Sequence, residues 1–121
     1  MNVASPLPSV DVVEAERRLR EDPAGPLLVD VREMNEFLAV RAPGAALLPM
    51  SSFAERVASL PPDRPLLVVC HLGSRSAAVV GFLQRAGRTD ATNVDGGMDA
   101  WERAGLPVTH GPLAEGEGDL P

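Results

Sequence analysis

The chain contains no lysine and no tyrosine, has a single cysteine, and carries aromatic side chains at only 3% of its 121 positions. One cysteine excludes an internal disulfide framework and fits a reducing compartment. With no lysine, all eleven basic residues are arginine, so any anion site must be built from guanidinium groups, backbone amides or histidine. No run is long and apolar enough to span a membrane. Met1 to Pro6 shows no basic stretch leading into an apolar one, so no secretory signal is expected and the chain is read as cytoplasmic. Acidic residues outnumber basic ones and leave a formal charge of −6, which argues against nucleic acid as the main partner.

What is present suits one packed domain. Hydrophobic residues make up 45% of the chain, enough for a single core at this length. Residues 1–8, with Pro6 and Pro8, read as an extended lead-in, and the domain is expected over 9–109. Asp11 and Glu14 have the spacing of a capping box for a helix running to about Glu21. Leu27 to Val31 reads as a buried strand, and Arg32 to Val40 as one or two helical turns before the Pro43-Gly44 turn. Ala45 to Met50 suggests a short strand, with Ser51 or Ser52 capping a helix through Leu60. Ala91 to Val94 is a weaker strand, and Gly96-Gly97 opens a last helix carrying Trp101. Residues 110–121 hold Gly, Pro, Glu and Asp with little apolar content and read as a mobile acidic tail. Strands alternating with helices imply an α/β fold with a central, mostly parallel sheet covered on both faces.

The chemistry concentrates where Leu66-Leu67-Val68-Val69 runs into Cys70-His71-Leu72-Gly73-Ser74-Arg75-Ser76. The apolar run is a strand buried on both faces. From Ser74 onward, Ala77, Ala78, Val79, Phe82 and Leu83 mark an amphipathic helix. The loop between aims backbone N–H groups, and the positive end of a helix dipole, into its hollow. A cysteine there is expected to be a nucleophile of lowered pKa. In open parallel sheets ligands gather outside the carboxyl ends of strands. Asp30 and Arg32, at the end of another strand, belong to the same rim, and a scaffold ion pair is the simpler role for them. Gly73 permits a backbone conformation closed to other residues, while Ser74 and Ser76 either cap the helix or bond to sulfur. His71 either tunes the thiolate or offers only its amide. Neither His71 nor His110 has metal-ligand spacing to Cys70, so no metal is expected. Trp101, Phe37, Phe53 and Phe82 read as packing.

Four pieces in order resemble the rhodanese (thiosulfate sulfurtransferase) homology domain. They are Leu28-Val29-Asp30-Val31-Arg32 with Glu33 and Glu36, Pro43-Gly44-Ala45, the Cys70 to Ser76 loop, and Gly96 to Trp101. The likeness spans about residues 9 to 108. It implies a rhodanese-like three-layer fold and an enzyme carrying sulfur on Cys70 as a persulfide. His71, Leu72, Gly73, Ser74, Arg75 and Ser76 would form the substrate cradle, with Asp30, Arg32 and Arg41 in support. No dissociable cofactor is implied, because the sulfur rides on the protein. The implied partners are a small anionic sulfur donor and a thiol or sulfur-carrier acceptor protein, with the chain a monomer or weak homodimer.

Two features qualify the likeness. Family members usually have Gly-His-Ile before the Pro-Gly-Ala turn, whereas this chain has Val40-Arg41-Ala42; Arg41 either supplies a permanent cation at the mouth or points to solvent. Arg75 either grips an anionic donor with its fork or pairs with Asp30 or another nearby acid. Other chemistries stay in view: a protein-to-protein sulfur carrier, or a cysteine phosphatase or arsenate-reductase-like enzyme. Cysteine phosphatases place five residues between Cys and Arg, but four separate Cys70 from Arg75, a ring that suits sulfur and crowds a phosphoryl group.

Overall fold

The architecture was established in a computed structural model that describes residues 7–121. Strands and helices alternate as β1 (Ser9–Val10), α1 (Val12–Glu21), β2 (Leu27–Asp30), α2 (Met34–Ala39), β3 (Ala46–Leu47), α3 (Phe53–Arg56), β4 (Leu66–Val69), α4 (Ser74–Arg85), β5 (Ala91–Val94) and α5 (Gly97–Arg103). Every strand pairs in parallel, in the order β1-β5-β4-β2-β3. The central strands β2 and β4 are buried along their whole length, which is why, Asp30 apart, they are apolar without alternation. Leu27, Val29, Leu66, Val68 and Cys70 face a layer built by Val79, Val80 and Leu83 of α4, with Phe53 and Val57 behind it. Leu28, Leu67 and Val69 face Val12 and Ala15 of α1, Phe37 of α2, and Met98 and Trp101 of α5. The result is the expected α/β fold of three layers. No helix among the described residues is long and apolar enough to cross a membrane.

Local differences from the sequence expectations have identifiable causes. Asp11 caps α1 by accepting from the Glu14 amide at 2.8 Å, but the Glu14 carboxylate turns to Arg17 and Arg18 and does not close the box. β1 escaped the sequence pattern because it is two residues long; Pro8 and Val10 carbonyls secure it by accepting from the Asn93 and Asp95 amides. The expected helix from Ser51 to Leu60 is broken into a 3₁₀ turn, the short α3 and a second 3₁₀ turn. Its candidate caps are diverted, Ser51 Oγ to the Glu33 carboxylate and Ser52 Oγ to the Pro49 carbonyl. Of the packing aromatics, Trp101 and Phe37 are buried, whereas Phe82 is half-exposed and meets Phe53 edge-on, with ring centroids 5.8 Å apart. Of the extended lead-in, residues 1–6 lie outside the described residues.

The stretch 110–121, expected to be a mobile acidic tail, lies against the domain. Gly111 N donates to the Leu38 carbonyl at 2.8 Å, and Leu47 N donates to the Gly118 carbonyl at 2.7 Å. Leu113 joins one core layer and Leu120 the other. Composition gives no sign of this, because two leucines and a few pairings with the body suffice. β3 is an edge strand, and the returning chain satisfies one of its free amides.

Candidate active site

Parallel strands bring their carboxyl ends to one rim. β2 and β4 are in register with Asp30 beside Val69, so Asp30 and Cys70 emerge at the same edge. The chain after Cys70 turns back through Gly73, whose φ of +110° is open to glycine and strained for other residues. That turn points Gly73 N at the Cys70 Sγ from 3.1 Å. The first turn of α4 adds Ser76 N at 3.3 Å and Ser76 Oγ at 3.2 Å. Two amides and one hydroxyl therefore converge on one sulfur.

The loop carbonyls are held away from it. Met98 N donates to the Cys70 carbonyl at 2.8 Å and Asp99 N to the His71 carbonyl at 3.0 Å, so the first turn of α5 collects them. This close approach explains Gly97. Its φ is +60°, and a Cβ there would lie 2.4 Å from the His71 oxygen and 2.5 Å from that of Cys70. With carbonyls drawn outward and amides turned inward, the hollow is built for negative charge.

The Cys70 thiol is held below its ordinary value. Burial is the largest single influence and pushes it up, since the residue is 1% exposed. The Ser76 hydroxyl and the amides of Ser76, Gly73 and Arg75 together outweigh burial and favour the thiolate. Ser76 thus does more than head a helix. Its Oγ lies 3.2 Å from both Sγ and the Gly73 carbonyl. A hydroxyl has one proton, so it can donate to Gly73 when Cys70 is a thiol and to Sγ when Cys70 is a thiolate. His71 and Ser74 are exposed, and Leu72 stands out at the crest of the loop.

The arginines divide sharply. Asp30 and Arg32 are both buried and joined fork to carboxylate, with Nη2 to Oδ2 at 2.8 Å, and Arg32 also donates to the Val40 carbonyl. This is the scaffold role. Arg75 is partly exposed and pairs with an acid, which is Glu36: Nη1 and Nη2 donate to its two oxygens at 2.7 and 2.8 Å. The Arg75 guanidinium holds the Glu36 carboxyl down to about 2. The sequence shows Glu36 as part of the resemblance but assigns it no role; the structure makes it the acid that Arg75 meets. The available signal was an acid placed shortly after Asp30-Val31-Arg32, on the helix that leaves the same rim.

Arg41 is neither at the mouth nor in solvent. It is 1% exposed, and its guanidinium donates to the Glu117 carboxylate and to the carbonyls of Phe37, Gly111 and Pro112. It also lies over the Phe37 ring, 5.5 Å from the centroid. No hydrogen of this guanidinium is left for a ligand, because five N–H groups meet five acceptors.

The model of the rhodanese-like domain matches residues 11–104. A thiosulfate sulfurtransferase GlpE of Pseudomonas savastanoi pv. phaseolicola is 37% identical over 94 residues, covering 78% of this chain and 86% of that protein. A sulfurtransferase of Allochromatium vinosum is 37% identical over 82 residues, covering 68% of this chain and 77% of its own. Among solved structures, a rhodanese-related protein from Thermoplasma volcanium superposes with a TM-score of 0.74 at 29% identity, over 84% of this chain and 97% of the other. Fold, loop and likeness agree, and the chain belongs to the rhodanese-like domain family.

Proposed function

We propose that this chain is a sulfurtransferase in which Cys70 takes sulfane sulfur from a small anionic donor of the thiosulfate type and passes it to a thiophilic acceptor. The observation that carries this reading is the convergence of Gly73 N, Ser76 N and Ser76 Oγ on Sγ. Such a cradle stabilises a thiolate before reaction and a persulfide anion after it. Each hydrogen bond to a charged group contributes roughly 1.5–3 kcal/mol, so a few together offset burial.

The reaction balances without a further reactant. The Cys70 thiolate attacks the outer sulfur of thiosulfate and forms a new S–S bond. The old S–S bond breaks, and sulfite leaves with its electron pair. The terminal persulfide sulfur keeps the negative charge and inherits the donors of the cradle. An acceptor such as cyanide or a thiolate then attacks that terminal sulfur, and the Cys70 thiolate departs. No proton and no cofactor is consumed. The relatives named for thiosulfate support this donor class, and the four-residue span from Cys70 to Arg75 supports sulfur over phosphoryl transfer.

The test is direct. Treating the protein with thiosulfate should make it heavier by one sulfur atom, reversibly with cyanide or dithiothreitol. Cys70→Ser should fold and show neither the mass gain nor thiosulfate:cyanide turnover. Turnover that survives in Cys70→Ser would refute the assignment. Loading by a persulfidated protein but not by thiosulfate would make the chain a carrier, with acceptor proteins as its partners. Phosphate release that depends on Cys70 would overturn the loop-size argument.

A further inference from the structure

We propose that Glu36 is a specificity-determining residue that limits how much of the Arg75 charge an anionic donor can use, an inference that rests on the sulfur-transfer reading above. Arg75 is the only cation in the loop that wraps the sulfur, and its Nη1–Nη2 edge is already filled by the two Glu36 oxygens. A donor oxygen must displace Glu36 or accept from what remains, the Nε side and the outer N–H groups. Displacement is costly here, because Glu36 is held independently of Arg75. Its Oε1 also accepts from Glu33 N at 3.1 Å. The helix that carries it is pinned at its end, where the Phe37 carbonyl accepts from Arg41 and the Leu38 carbonyl from Gly111 N.

The charge balance of the rim follows. Asp30 cancels Arg32 and Glu36 cancels Arg75, so a donor meets backbone dipoles and little net cation. A compact dianion such as thiosulfate gains least from that arrangement. An organic persulfide has one negative charge at the transferred sulfur and no fixed sulfonate, so it needs less. Glu36 therefore biases the site against compact dianionic donors.

The parent protein gives a first reading: its kcat/KM with thiosulfate should not fall as salt is added, and a steep fall would show Arg75 to be freely available and overturn the proposal. Glu36→Gln keeps the shape and the Glu33 contact while deleting the charge. It should lower the KM for thiosulfate roughly three- to tenfold, with the gap closing as salt rises. It should also shift the pH midpoint of Cys70 alkylation by iodoacetamide downward, since Arg75 is then uncompensated. In an Arg75→Met background, Glu36→Gln should change neither quantity. A folded Glu36→Gln variant whose KM and alkylation midpoint match the parent, or whose KM rises, would make the pair a scaffold and sink the inference. If thiosulfate loads neither protein, the donor assignment fails, yet the alkylation midpoints still decide the role of Glu36.

Discussion

Arg41 and Glu117 stand 76 residues apart in sequence, and their side chains meet in an ion pair that is buried on the arginine side. The pair fastens the last residues of the chain to the end of α2. Around it, Gly118 accepts from the edge strand through Leu47 N, and Gly111 N donates to Leu38. A Cβ at Gly118 would approach the Phe37 ring to 3.2 Å, so the returning backbone sits directly on that ring. The C-terminal stretch is thus a strap over the helix that presents Glu36.

Truncation after Gly111 should therefore destabilise the domain. It removes Glu117, leaves the buried Arg41 charge without its carboxylate, frees the Leu47 amide and uncovers apolar surface under Leu113 and Leu120. A fall in melting temperature of roughly 5–10 °C is expected. An unchanged melting curve would show that the strap contributes nothing to folding. Arg41→Lys should not rescue the contact, since an ammonium cannot supply the fork and the carbonyl contacts together.

Ser76→Ala tests the cradle itself. The variant keeps the Ser76 amide but loses the hydroxyl that can turn its proton to Sγ when Cys70 is a thiolate. The thiol pKa should rise, making alkylation at pH below the midpoint roughly three- to tenfold slower. The rate of the fully ionised thiolate should change little. A pH profile that overlays the parent's would remove the hydroxyl from the account.

Gly97→Ala probes how the loop carbonyls are held. The positive φ alone costs about 1–2 kcal/mol for a residue with a side chain. The overlap with the His71 and Cys70 oxygens adds to that and pushes the loop off α5. Thermal stability should drop, and Cys70 should become more accessible to bulky maleimides as the loop loosens. A variant with parental stability and alkylation rate would show that this contact is dispensable.

These residues also mark what the sequence disclosed. Apart from β1 and the broken helix before Leu60, the order of strands and helices, the Cys70 loop and the shared rim of Asp30 and Cys70 were legible because they follow from apolar runs and short-range spacing. Gly96-Gly97 was visible as a motif, but its task was not, since the carbonyls it accommodates lie about twenty-five residues earlier in the chain. Arg41, Arg75 and the C-terminal strap were misplaced or left open for one reason. Their partners are Glu117, Glu36 and the edge of β3, all distant in sequence, and a guanidinium reads the same whether its acceptor is substrate, solvent or a carboxylate.

The Glu36–Arg75 pair should leave a signature in the pH dependence of stability. The folded-state carboxyl is lowered to about 2 from an ordinary 4.5, so the folded protein binds the Glu36 proton less readily than the unfolded chain. A lowered acid contributes stability that is complete above the unfolded value and is lost as pH falls through the folded one. The stability difference between the parent and Glu36→Gln should therefore be flat from neutral pH to about 5 and shrink steadily as pH falls from 4.5 toward 2. Partial exposure of both side chains keeps the difference modest and makes it sensitive to salt. Denaturant midpoints for both proteins across that range supply the comparison. A difference that persists undiminished at the acid end would mean that Glu36 holds Arg75 through shape and packing, with its charge playing no part.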